Sequence, residues 1–177
     1  MIYANIFDET IVYVMHFLTY YIFCFSMVFL LSFVIILMKP VKKFTIKYQS
    51  AMLIIFGLLL LGLVFIPNGI IINASTNWKP SWSWLFFTYS VTLCSSLIIL
   101  PTIYYSIKIY IKFEGDFLKK KWKYFLIGMC AYFFLYYGTT LSNTLNEDSF
   151  RFIWSLISLP TLISLYLIYY GVGRQLE

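Results

Sequence analysis

Few residues in this chain could do chemistry, and the first is His16, the sole histidine. It lies inside an apolar run, close to Thr19 and Tyr20. An imidazole so placed can act as pH sensor, proton relay or ligand contact. The structural alternative is a neutral ring hydrogen-bonded between helices, and its position about one turn into the run favours that alternative. Cys24, Cys94 and Cys130 are widely separated, with no CxxC and no Cys/His pairing. They read as small apolar packing residues. One histidine also excludes HExxH metal chemistry and bis-histidine haem ligation, so the expectation is no metal and no cofactor.

Hydroxyl and small residues form the second group. Ser81, Thr88, Thr92, Ser95 and Thr102 approximate a helical stripe, while Ser155, Ser158, Thr161 and Ser164 recur every third residue. Gly128, Ala131, Gly138, Thr139 and Ser142 lie between them in the chain. Such residues let helix backbones approach and hydrogen-bond, at about 0.6 kcal/mol per bond in membranes. They could equally line a narrow polar path. Packing is the better reading, because isolated Ser and Thr can bond to carbonyls of their own helix.

The third group is Lys119, Lys120, Lys121, Trp122 and Lys123. A lysine run with a tryptophan can hold anionic headgroups, at about 1 kcal/mol per lysine near the surface, or a partner protein. It also fits simple anchoring. The cluster is short and tied to apolar segments, so nucleic acid is not expected. No GxSxG, P-loop or GxGxxG occurs, and no carboxylate falls inside an apolar run, which leaves acid/base catalysis without its groups. No catalytic residue is assigned, and an enzyme is not expected.

The elements that must position these residues are dictated by composition. Hydrophobic residues make up 62%, charged residues 11%, and the mean hydropathy is +0.84. These values lie far from soluble norms. Aromatic residues reach 22%, which coding bias toward Ile, Phe, Tyr and Lys explains as readily as function does. Apolar stretches cover roughly 11–38, 51–72, 82–107, 124–141 and 150–172, each long enough to cross a hydrocarbon core of about 30 Å. The fold expected is an all-α membrane protein, a five-transmembrane-helix bundle forming a single integral membrane domain over residues 1–177.

Charge orients that bundle. Lys39, Lys42, Lys43 and Lys47 follow the first run, Lys108, Lys112 and the lysine cluster follow the third, and Arg174 follows the fifth; Lys79 and Arg151 fall on the other side. Eleven cations against two predict an N-terminus outside and a C-terminus in the cytoplasm. The first ten residues lack a basic region, so no cleavable signal peptide is expected.

Local signals mark the ends. Asn5, with Asp8 and Glu9, is expected to cap the first helix, and Asn146 to Ser149 to cap the fifth. Gly115 is expected to supply unusual backbone angles in a turn, with Asp116 capping the fourth helix. Pro101 and Pro160 should interrupt the third and fifth helices. In the loop from Pro67 to Ser83, Trp78, Trp82 and Trp84 read as an interfacial belt, and Asn73-Ala74-Ser75 fits a glycosylation acceptor pattern.

The function expected is a small non-enzymatic multi-pass protein acting by binding, as a sensor-like module or assembly subunit that contacts lipid, an apolar ligand or a partner protein, including a second copy. The alternative is a small oligomeric transporter or channel, with the hydroxyl stripes of the third and fifth helices lining the path. The cell membrane is the expected location, an organelle membrane the alternative.

Overall fold

The computed structural model describes residues 8–38 and 44–172. Asn5, Lys39, Lys42, Lys43 and Arg174 lie outside the described residues. Five helices are long and apolar enough to span a membrane: α1 (Glu9–Met38), α2 (Ile46–Phe65), α3 (Trp84–Lys112), α4 (Asp116–Leu145) and α5 (Asp148–Val172). Among the described residues the chain is thus a helical bundle apart from one short hairpin, in which β1 (Ile70–Ile71) pairs antiparallel with β2 (Ser81–Trp82), Ile70 opposite Trp82.

Asp8 caps α1, its Oδ1 accepting from the backbone N–H of Thr10 at 2.9 Å and of Ile11 at 3.2 Å. The 30 residues of α1 span about 45 Å at 1.5 Å per residue, which exceeds the hydrocarbon thickness and requires tilt in a bilayer.

The second apolar run does not stay helical to residue 72. Pro67 disfavours a helical residue before it, and Ile66 turns extended at φ −75°, ψ 113°. Asn68 then takes a left-handed conformation at φ 52°, and the Ile70–Ile71 pair becomes β1. Trp82 likewise belongs to β2, and α3 starts after Ser83, whose Oγ accepts from the Phe86 N–H at 3.2 Å.

Pro101 does not break α3. The strain of its missing N–H and its ring is taken up by a π-helical turn at Ser95–Ile99, after which the α-helix resumes to Lys112. Pro160 sits in a 3₁₀ turn, Leu159–Leu162, and α5 also continues.

Gly115 takes an ordinary extended conformation, φ −88°, ψ 132°, and Asp116 makes no capping bond. α4 runs well beyond the apolar stretch at both ends and absorbs the whole lysine cluster. Asn146, at φ 53°, closes α4 in the left-handed conformation instead of opening α5.

Packing follows the small residues. α1 lies against α2 and α3, and α4 against α3 and α5. A Cβ on Gly128 would approach the Ser164 carbonyl oxygen to 2.7 Å and the Ile168 nitrogen to 2.9 Å. Gly138 is covered by the Trp154 ring, which a Cβ would meet at 2.0 Å. These contacts bring α5 onto α4 backbone to backbone. Outside that seam α5 is the least buried helix, with 12% of its apolar window covered against 50% for α4. α4 is therefore the axis of the bundle.

Candidate functional site

Two regions carry the polar and charged groups of interest. One is a buried hydrogen-bonded cluster between α1, α3 and α4; the other is the lysine-rich end, where α1, α4 and α5 enclose a groove.

The cluster turns on Ser90. Its Oγ bonds to the phenolic oxygen of Tyr136 at 2.8 Å and to that of Tyr20, tying α3 to both neighbours. Ser90 and Tyr136 are fully buried, Tyr20 nearly so. One turn further, the thiols of Cys24 and Cys94 face each other and touch the same phenols and hydroxyl. Beside them Tyr132 bonds to Ser26 at 2.5 Å and donates to the Phe23 carbonyl at 3.2 Å. Hydroxyls and phenols thus satisfy one another without any ionised group, as a low-dielectric interior requires.

Sequence reading did not single out this cluster. The signal was present as i, i+4 pairs that share a helix face: Tyr20 with Cys24, Ser90 with Cys94, Tyr132 with Tyr136. Cys24 and Cys94 do pack as small buried residues, but toward one another.

His16 lies at the end of the bundle near the hairpin. The Trp82 indole N–H donates to His16 Nε2 at 3.2 Å, with ring centroids 5.9 Å apart. Accepting at Nε2 means that this nitrogen carries no proton, so the ring is the neutral Nδ1–H tautomer. Trp82 is only 4% exposed and packs on Tyr20 and Phe86, with centroids at 4.7 and 5.0 Å. It is therefore a core residue, placed by pairing of β2 with β1, and not part of an interfacial belt. Trp84 is exposed as a belt residue would be.

The hairpin is also tied to α5. Arg151 donates from its guanidinium to the Pro80 carbonyl and from Nε to the Ser142 carbonyl at 3.4 Å, and Lys79 pairs with Asp148 at 2.5 Å. Asp148 thereby has a partner across the loop. Asn73 caps a short 3₁₀ turn, accepting from the Thr76 N–H at 3.1 Å and from Ser75 Oγ at 2.6 Å.

The predicted hydroxyl stripes do not face each other. Thr88 donates to the Trp84 carbonyl, and both Thr88 and Thr92 line a shallow outer hollow of about 520 Å³ with Ser96. Ser95 turns inward and bonds to Tyr137 OH at 2.6 Å. The π turn adds a residue, which rotates the rest of α3 by about 100°. That rotation turns Thr102 into the core while Thr92 stays outside. On α5, Ser155 donates to the Phe152 carbonyl, Ser158 to that of Ser155, and Thr161 to that of Ser158. A spacing of three drifts by about 60° per step, so Ser155 is exposed while Ser164 is buried. α4 stands between the two series, packed on both helices.

At the other end, Lys119, Lys120, Lys121 and Lys123 radiate around the first turns of α4. Lys120 and Lys123 are exposed, Lys119 is half-buried, and Lys121 is the buried charged side chain among the described residues, 8% exposed. Its ammonium lies 4.5 Å from the Phe117 ring centroid, a cation–π contact. Trp122 points inward, donating to the Ser106 carbonyl at 2.8 Å and packing on Phe125. It joins α4 to α3 and is not available to a headgroup.

One turn beyond Lys121, Phe125 forms the floor of an apolar groove of about 360 Å³. Its walls are Leu30 and Phe33 of α1 and Leu165, Ile168, Tyr169 and Val172 of α5. Among the described residues, no three His, Cys, Asp or Glu side chains gather where they could hold a metal ion. No family model, curated protein or solved structure matches this chain.

Proposed function

We propose that this is a non-enzymatic multi-pass membrane protein that acts by binding, as a sensor-like module or as a subunit of a membrane assembly. The N-terminus lies outside and the lysine-rich end faces the cytoplasm, as the distribution of eleven cations against two supports. The observation that carries the reading is the closed interior. Buried hydroxyls and phenols pair among themselves, whereas hollows of about 360 and 520 Å³ lie at the periphery of the bundle. Coupled transport usually places ionisable groups along an internal path. A path between α3 and α5 gains no support from hydroxyls that bond to their own helices and stand apart.

Binding then falls to the peripheral surfaces: the groove at the lysine-rich end, the exposed lysines, and the open faces of α2 and α5. Native mass spectrometry of the chain extracted from its own membrane in mild detergent tests the reading. A stoichiometric lipid or protein companion is expected. A clean chain with neither, or solute flux in proteoliposomes that falls when Thr92 or Ser158 is made bulky, overturns it.

A further inference from the structure

We infer that the buried cysteines Cys24 and Cys94 form a redox pair that closes to a disulfide when a small neutral peroxide enters the bundle, tying α1 covalently to α3. The pair closes with or without a bound companion, so it stands apart from the binding role proposed above.

Helix register brings the two sulfurs together. Tyr20 of α1 bonds to Ser90 of α3, and four residues on, along the same face of each helix, stand Cys24 and Cys94. The two helices run in the same direction from the hairpin end, where His16 meets Trp82, so residues that face each other at one level are followed by a facing pair at the next. Four residues advance both helices by about 6 Å. The π turn of α3 starts at Ser95, just past Cys94, and leaves this register intact. The thiols accordingly meet, with the Ser90 and Tyr136 hydroxyls beside Cys94 and that of Tyr20 beside Cys24.

Both cysteines are 0% exposed, and this decides the chemistry. Two thiols leave a metal ion short of ligands, since among the described residues no third His, Cys, Asp or Glu joins them; a disulfide needs only the two sulfurs. Burial shuts out bulky disulfides and charged oxidants, whereas hydrogen peroxide is neutral and little larger than water. The neighbouring hydroxyls offer it hydrogen bonds in an interior that is otherwise apolar. One thiol attacks the peroxide and its proton goes to the departing oxygen as the O–O bond breaks, giving a sulfenic acid and water. The second thiol then attacks that sulfur. The S–S bond forms, the S–O bond breaks, and the hydroxyl leaves with the second thiol proton as another water, two electrons having passed from the sulfurs to the peroxide. Contact between the sulfurs makes this second step intramolecular.

The test uses the full chain in dodecyl maltoside micelles, carrying Cys130→Ala to remove the exposed third thiol. Hydrogen peroxide is added and then destroyed with catalase, after which the chain is unfolded in SDS with N-ethylmaleimide and weighed by intact mass spectrometry. The untreated chain should take two maleimides, one for each remaining thiol. The treated chain should take none and weigh about 2 Da less, and dithiothreitol should restore both maleimides. Cys94→Ala with Leu93→Cys moves the thiol about 100° round α3 and should slow disulfide formation at least about tenfold. The closed form should unfold at a higher SDS fraction than the reduced form, because the bond joins residues far apart in the chain. In the unsubstituted chain, peptide mapping should find Cys24 linked to Cys94 and not to Cys130.

A treated chain that still takes two maleimides overturns the redox pair, and so does one that only gains oxygen, about 16 Da or a multiple of it. Equal rates for the native and the displaced thiol show that the folded contact does not direct the reaction, and overturn it too. A disulfide that forms but lowers the SDS fraction at unfolding sinks the tie between α1 and α3. Linkage of Cys130 to either partner in place of the Cys24–Cys94 bond in the unsubstituted chain refutes the pairing.

Discussion

Replacing Ser90 by alanine isolates the hub of the buried cluster. The substitution removes one small atom and two hydrogen bonds, to Tyr20 and to Tyr136. Membrane hydrogen bonds average about 0.6 kcal/mol, which sets a lower expectation of about 1.2 kcal/mol for the pair. Tyr136 is fully buried and Tyr20 is 5% exposed, so neither phenol can turn to water. A buried polar group left unsatisfied costs about 1 to 3 kcal/mol, and the expected loss is thus about 1 to 3 kcal/mol. Equilibrium unfolding in mixed micelles of rising SDS fraction, followed by circular dichroism, measures it. Ser96→Ala is the matched control, because Ser96 is exposed and donates to the Thr92 carbonyl of its own helix; its change should stay within about 0.5 kcal/mol. Tyr20→Phe should cost less in the Ser90→Ala background than in the wild type, the non-additivity expected of groups in one network. If Ser90→Ala is no worse than Ser96→Ala, or if Ser90→Ala and Tyr20→Phe simply add, the cluster does not hold the helices together.

His16→Phe keeps a ring but removes the acceptor for the Trp82 indole N–H. It should cost about 0.6 to 1 kcal/mol by the same unfolding assay, and a Trp82→Phe change should then cost less in that background. Gly138→Leu should expel Trp154 from the α4 surface and separate α5 from α4, seen as a site-specific crosslink between the two helices that no longer forms. Ser164 Oγ is buried without a hydrogen-bond partner among the described residues. Ser164→Ala should therefore be neutral or stabilise by up to about 1 kcal/mol, and a clear loss would mean that the hydroxyl is engaged. Arg151→Leu frees the Pro80 carbonyl, and faster amide exchange across the β1–β2 hairpin is the expected readout.

The spans were legible because lipid imposes a length and a composition that five runs satisfy, and each run does hold one apolar helix. The ends were less so. Pro67 ended α2 early even though Ile70 to Ile72 remain apolar, because backbone geometry outranks hydropathy at a turn. At the other extreme, α4 took in four lysines that lie outside the apolar stretch at 124–141: charge at the end of a helix costs little where the side chain reaches an aqueous or headgroup layer. The small residues of α4 were read as contacts, and Gly128 and Gly138 are contacts. The hydroxyls of the third and fifth runs were read first as groups bonded to their own helices, as Thr88, Ser155, Ser158 and Thr161 are; a single π turn in α3 and a spacing of three on α5 each rotate successive positions away from a common face. Trp82 and Trp122 were assigned to interfaces from residue type alone. The structure buries both, because each indole N–H finds an acceptor inside, His16 Nε2 and the Ser106 carbonyl.

The tyrosines change what the aromatic composition means. Phenylalanine would fill the same core volumes, yet Tyr20, Tyr132, Tyr136 and Tyr137 each place a hydroxyl on a neighbouring helix. A bundle without internal charge has few ways to fix which helix faces which, since apolar packing against a helix and against lipid differ little. A phenol reaches farther than serine and, once buried, must find a partner. Pairing Tyr20 and Tyr136 with one Ser90, and Tyr137 with Ser95, sets the rotation of α1, α3 and α4 about their axes together.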